Sequence, residues 1–116
     1  MSRRRRLWLT ALLPAVLLLG VGAAQAAEVA GPWKFATDPE DRGVAAGWAR
    51  PDFDDSAWQD VEVGKTWEEQ GHPGYDGVAW YRKRIAIPDA LAGRDLVLIL
   101  PGVDDAYRAW ADGAYI

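Results

Sequence analysis

The sequence predicts an all-β fold, built from short antiparallel strands around one hydrophobic core. Three observations predict it. Residues 78–87 alternate along an aromatic and β-branched run that Asp76-Gly77 opens and Pro88 stops. Asp112-Gly113, a type I′ hairpin signal, stands between two further runs. The remaining apolar runs are short, and loops carrying Pro and Gly separate them.

The first 26 residues read as a secretory leader. Arg3, Arg4, Arg5 and Arg6 precede an apolar run over 7–19, then Gly20 and Gly22, then Ala24-Gln25-Ala26. This is the basic, apolar and small-residue succession of a signal peptide, with cleavage expected after Ala26. The apolar run is shorter than the ~20 residues a spanning helix needs, so no stable membrane anchor is expected. The arginines suit a twin-arginine route, but the strongly apolar run favours the general secretory route. Residues 27–116 are then an exported domain, periplasmic or extracellular. The chain contains no cysteine, which excludes a lipid anchor on Cys and any disulfide.

Cleavage changes the charge. Of 13 basic residues four leave with the leader, so nine face 17 acidic ones, a net of −8. Such a domain repels nucleic acid and anionic lipid, and neither is expected as a partner. Its 90 residues are near the low end for a self-sufficient core.

The mature chain starts with a short strand over 31–36, with Trp33 and Phe35 facing the core. Residues 37–47 are a polar loop that Trp48 ends. In the turn-rich run 51–58, Asp54, Asp55 or Ser56 is placed to cap one helical turn that swings Trp58 inward. Residues 61–63 alternate as a second strand, and 65–73 form a loop with Trp67, Glu68, Glu69 and the single histidine, His72. The third and longest strand, 78–87, places Tyr81, Ile85 and Ile87 on one face and Trp80, Arg82 and Arg84 on the other. That pattern predicts a sheet with one face on a core and one in water. Residues 96–100 are continuously apolar, as in a strand buried on both faces. A strand over 106–111 follows, then the Asp112-Gly113 turn and a return strand over 114–116.

About five strands are visible, where a closed two-sheet sandwich needs about seven or eight. We therefore expect an N-terminal piece of a longer protein, one whose residues 27–116 alone do not fold cooperatively. A sharp, reversible two-state denaturation of that fragment contradicts this expectation.

The ordered motifs resemble a known module. They are Gly31-Pro32-Trp33-Lys34-Phe35, Asp54-Asp55-Ser56-Ala57-Trp58, Tyr75-Asp76-Gly77-Val78-Ala79-Trp80-Tyr81-Arg82-Lys83, Pro88, the apolar run 96–100, Gly102-Val103-Asp104-Asp105 and Asp112-Gly113. Together, from Trp33 to Ile116, they resemble the N-terminal sugar-binding domain of family 2 glycoside hydrolases, the β-galactosidase and β-mannosidase group. The resemblance implies a jelly-roll β-sandwich of the galactose-binding-domain-like class, here incomplete at its C-terminal end. Asp112 departs from the Asn usual before the Gly, a change that a type I′ turn accepts.

The resemblance implies a non-catalytic accessory domain of an exported enzyme acting on O-glycosyl bonds, with carbohydrate or the parent's catalytic domain as partner. Its catalytic glutamates lie in a separate downstream barrel, so no catalytic residue and no cofactor is expected here. Two other readings stay open. One is an accessory module of an esterase resembling the sialate O-acetylesterases. The other is a free-standing carbohydrate-binding module.

The residues themselves agree with a non-catalytic part. Glycoside hydrolysis needs two carboxyls across the scissile bond. The pairs Asp54/Asp55, Glu68/Glu69 and Asp104/Asp105 are sequence neighbours, which an extended backbone points apart. Turn and cap roles suit them better. Six tryptophans remain after the leader. Trp33, Trp48 and Trp58 fit core positions. Trp67, Glu68 and His72 in one loop, with Trp80 and Trp110 on the faces opposite the apolar sets, are the candidates for touching a sugar or a neighbouring domain, since a pyranose C–H face packs on an aromatic ring. One histidine without cysteine gives little metal signal, and no metal is expected. Asp38, Glu40 and Asp41 are of the type that holds calcium, but a solvated acidic loop is the expected reading. Arg82, Lys83 and Arg84 are expected to pair with acidic surface or with another domain.

Overall fold

The structure, a computed structural model, describes residues 4–9, 17–20, 25–29, 31–100 and 106–116. These residues contain β-strands and two single-turn 3-10 helices, Glu68–Gln70 and Asp89–Leu91, and no α-helix. The strands are β1 Arg4–Leu9, β2 Leu17–Gly20, β3 Gln25–Glu28, β4 Trp33–Asp38, β5 Gln59–Val61, β6 Val78–Ala86, β7 Leu96–Ile99, β8 Ala109–Ala111 and β9 Ala114–Tyr115. They form two antiparallel sheets, ordered β5-β4-β6-β1-β8-β9 and β3-β2-β7. Among the described residues no helix is long and apolar enough to cross a membrane.

The longest strand, β6, sets the register of the larger sheet. It pairs with β4 so that Phe35 lies opposite Tyr81 and Ala36 opposite Trp80. Cross-strand neighbours share a face. Phe35 and Tyr81 therefore meet edge to face, with ring centroids 5.0 Å apart. On that face Trp33, Phe35, Tyr81, Ile85, Ile87 and Leu91 are buried, and Leu96 and Leu98 from β7 pack against them. The smaller sheet thus covers one face of the larger, a two-layer arrangement consistent with a β-sandwich.

Three expectations need correction. The second face of β6 is not wet: Trp80 is fully buried and Arg82 only 1 % exposed, while Arg84 alone of the three is exposed. Residues 39–58 fold across this face and bring Trp48, Ala49 and Trp58 onto Trp80 and Trp110. A polar-looking segment covers it because aromatic residues are spaced through the loop. Strand β7 is not buried on both faces. Leu96 and Leu98 point to the core, whereas Val97 and Ile99 are 46 % and 36 % exposed. Strand β8 is shorter than the run 106–111, because pairing starts only at Ala109. The Asp112-Gly113 turn has positive φ at both residues, 51° and 85°, as a type I′ hairpin requires. Asp104 and Asp105, and much of the leader, lie outside the described residues.

Two side chains of the core give measurable predictions. The Trp33 indole N–H is buried with no acceptor among the described residues. An unmade buried hydrogen bond costs about 1–3 kcal/mol, which offsets much of the volume lost on truncation. Trp33→Phe is expected to destabilise less than Trp80→Phe, whose indole N–H donates to Asp38 Oδ2 at 3.0 Å. Paired urea midpoints of the two variants check the order. Burial also holds the Tyr81 phenol well above its ordinary range. Below about pH 10 both folded and unfolded forms keep that proton, and above it the unfolded chain releases it first. Stability is therefore expected to fall as pH rises past about 10, and Tyr81→Phe to flatten that fall. Denaturation midpoints between neutral and strongly alkaline pH measure both.

Candidate functional site

The five candidate contact residues divide between the two faces of the larger sheet. Trp67, Glu68 and His72 belong to the loop between β5 and β6, which packs at the edge of the first core. Trp80 and Trp110 belong to the cluster under residues 39–58. They do not converge on one site.

The β5–β6 loop is held from within. Thr66 Oγ1 and the Thr66 N–H donate to Glu69 Oε2, and Gln70 exchanges side-chain hydrogen bonds with the Glu62 backbone at 2.7 and 3.0 Å. Gly71, in the left-handed region at φ 101°, ends the 3-10 turn. The Trp67 indole N–H donates to the Tyr75 carbonyl at 3.2 Å, with its ring edge-on to Tyr75. His72 is half-buried. Its ring lies 4.9 Å from that of Phe35, and Nε2 is 2.8 Å from Gln59 Oε1. Of this group Glu68 is exposed. The loop presents a carboxylate beside half-buried aromatic edges, which suits a polar contact better than a stacking platform.

Trp80 and Trp110 are unavailable to a sugar face. They stack on each other with centroids 4.9 Å apart and planes 21° apart, and both are buried. Asp38 sits beneath them. Its carboxylate accepts from the Arg42 and Gly43 backbone N–H groups at 2.8 and 2.7 Å and from Trp80. Asp38 is thus not a solvated loop acid, and its oxygens serve the turn at residues 38–43. Among the described residues no group of three or more His, Cys, Asp or Glu side chains is arranged to hold a metal ion.

The organising polar residue of this face is Arg82, which alternation alone places on a wet surface. Its guanidinium pairs with Asp55, Nε to Oδ2 at 2.9 Å. The terminal nitrogens donate to the carbonyls of Trp48, Arg50 and Phe53. Its plane lies 4.8 Å from the Phe53 ring centroid and 5.7 Å from Trp58. One side chain therefore satisfies three loop carbonyls and one buried carboxylate, which explains how residues 48–58 close without secondary structure of their own. A cation centred in a strand between Trp80 and Lys83, facing a loop dense in Asp and Trp, is the signal that marks it.

The Asp54/Asp55 pair is divided between two settings. Asp55 is buried against Arg82, while its neighbour Asp54 is exposed and accepts from the Ser56 N–H at 3.0 Å. The hydrogen bonds from Ser56 hold the Asp54 carboxyl below its ordinary range. A carboxyl so lowered is a poor proton donor near neutral pH.

Comparison with known proteins finds similarity to several β-galactosidases. The chain is 29 % identical over 105 residues to a β-galactosidase of Psychromonas ingrahamii, covering 74 % of this chain and 10 % of that protein. It is 26 % identical over 105 residues to a β-galactosidase of Vibrio cholerae, with the same coverage. It is 27 % identical over 112 residues to a β-galactosidase of Photobacterium profundum, covering 80 % of this chain and 11 % of that protein. The chain thus spans about a tenth of the length of the relatives it matches. No family model matches, and no solved structure matches.

Proposed function

We propose that this chain is the exported, non-catalytic N-terminal β-sandwich of a glycoside hydrolase similar to family 2 enzymes. In this reading residues 1–26 are removed on export, and residues 27–116 begin a jelly-roll domain that packs against the catalytic part. The observation that carries it is the match to β-galactosidases over three quarters of this chain and a tenth of theirs. The side-chain chemistry supports it. The aromatic residues that would stack on a sugar are spent on packing, and the buried carboxylates are spent on Arg82 and the 38–43 turn. What stays exposed, the Glu68 loop, suits contact with a neighbouring domain or the rim of a pocket.

The test is substitution of the exposed carboxylates in the complete parent protein. Asp54→Asn, Glu68→Gln and Glu69→Gln are each expected to leave kcat on an aryl β-galactoside within about twofold. A general acid or base at any of them is worth about a hundredfold or more, so a loss of that size contradicts the proposal.

A further inference from the structure

The dipeptide Asp-Gly occurs twice, at 76–77 and at 112–113, and all four residues are exposed. An aspartate before glycine is prone to cyclise, because glycine has no side chain to crowd its main-chain nitrogen. That nitrogen attacks the aspartate Cγ. The N–Cγ bond forms, the Cγ–OH bond breaks, and water leaves with the amide hydrogen. Water then opens the succinimide ring at either carbonyl. Attack at Cγ restores aspartate, and attack at the former main-chain carbonyl gives isoaspartate. The isomer routes the main chain through Cβ and Cγ and so lengthens it by one carbon.

Ring closure needs the following nitrogen to swing onto Cγ, which requires rotation about the aspartate Cα–C bond. The structure gives the two sites opposite freedom for that rotation. At 112–113 both residues are held in the left-handed region, at φ 51° and 85°. The pairs Trp110 with Tyr115 and Ala111 with Ala114 flank the turn, and the Ile116 N–H bonds the Ala109 carbonyl at 3.0 Å. The tip packs on residues 49–51, since a Cβ on Gly113 would lie 3.1 Å from Pro51 Cδ. Turning the Asp112-Gly113 peptide therefore opens the hairpin.

Asp76 and Gly77 lie just before β6, which starts at Val78. Asp76 is not in the left-handed region. Among the described residues no hydrogen bond outside the strands engages the main chain of either. The Tyr75 hydroxyl donates to the Val78 carbonyl at 2.5 Å, and the Tyr75 carbonyl accepts from the Trp67 indole N–H at 3.2 Å. Both ends of the 75–78 segment are tied, while the peptide between them is left to turn.

We propose that Asp76-Gly77 is a site of spontaneous isoaspartate formation in the folded protein, and that the hairpin protects the same dipeptide at 112–113. The consequence falls on the β5–β6 loop. With one more main-chain carbon between Tyr75 and Val78, Tyr75 does not keep both its hydroxyl on Val78 and its carbonyl on Trp67.

The experiment ages the complete protein at physiological temperature and neutral to mildly acidic pH, natively and in concentrated urea. Digestion with a protease that cuts before aspartate but not before isoaspartate, followed by electron-transfer fragmentation, reads the two residues separately. Natively, isoaspartate is expected to accumulate at 76 about tenfold or more faster than at 112, since an opening cost of ~1.4 kcal/mol gives a factor of ten. In urea the two rates are expected to converge. Asp76→Glu, whose longer side chain closes a ring far more slowly, is expected to abolish the product at 76 and leave the near-ultraviolet circular dichroism unchanged. In the isolated isoaspartate fraction the Trp67 indole hydrogen is expected to exchange faster with solvent, and unchanged exchange contradicts the effect on the loop. Equal native rates, or a faster rate at 112, overturn the proposal. A difference that persists in urea also overturns it, because it then comes from sequence neighbours and not from the fold.

Discussion

Arg82→Met is expected to destabilise the domain by about 3–5 kcal/mol, because it leaves the Asp55 carboxylate buried without its cation. It also leaves the carbonyls of Trp48, Arg50 and Phe53 without a donor. The size of the loss comes from the groups left behind, since a buried ion pair as such contributes little over apolar side chains of the same shape. Two consequences distinguish this account from a simple packing loss. Asp55→Asn added to Arg82→Met is expected to recover part of the loss, so the two substitutions are strongly non-additive. Limited proteolysis is expected to cut first within residues 48–58, the segment whose carbonyls Arg82 holds. A double-mutant cycle from denaturation midpoints gives the coupling, and additive losses contradict it.

Gly43→Ala is the second large effect. A Cβ at Gly43 would lie 2.4 Å from Trp80 Nε1, 2.6 Å from Trp80 Cε2 and 2.8 Å from Asp38 Oδ2. None of these atoms is the free end of a flexible side chain. Trp80 is locked between Trp48 and Trp110, and Asp38 is fixed by two backbone N–H groups. Overpacking of this kind costs about 1–3 kcal/mol, and displacing Asp38 from the Trp80 indole adds a lost buried hydrogen bond of about 1 kcal/mol. The combined loss is expected to exceed that of Gly74→Ala, where nothing lies within 4 Å and only the backbone at φ 71° resists. A denaturation series on Gly43→Ala, Gly74→Ala and the parent measures the difference.

Both effects arise on the face of β6 that the sequence misassigns. The alternation of 78–87 correctly locates the strand and its inner set, because Tyr81 and Ile85 repeat with period two and meet a second apolar layer. The same alternation cannot say what covers Trp80 and Arg82. That depends on a long loop whose fold is set by side-chain-to-backbone bonds from Asp38 and Arg82, interactions 5 to 42 residues apart that leave no period. The apolar run 96–100 fails for a related reason. A continuous run fits a strand with either one or two covered faces, and only the tertiary layer decides. The hairpin at Asp112-Gly113 was legible because its geometry is local. For the candidate site, Trp67, Glu68 and His72 are near in sequence, so their shared loop is a local feature. Trp80 and Trp110 resemble surface aromatics only until the covering loop is in place.

The central claim is that this chain supplies structure to an enzyme whose chemistry lies elsewhere in the polypeptide. The most direct measurement compares β-galactoside hydrolysis by the complete exported protein with that by residues 1–116 expressed alone. The account predicts turnover by the complete protein and none above buffer by residues 1–116. Turnover by residues 1–116, or its absence from the complete folded protein, contradicts it.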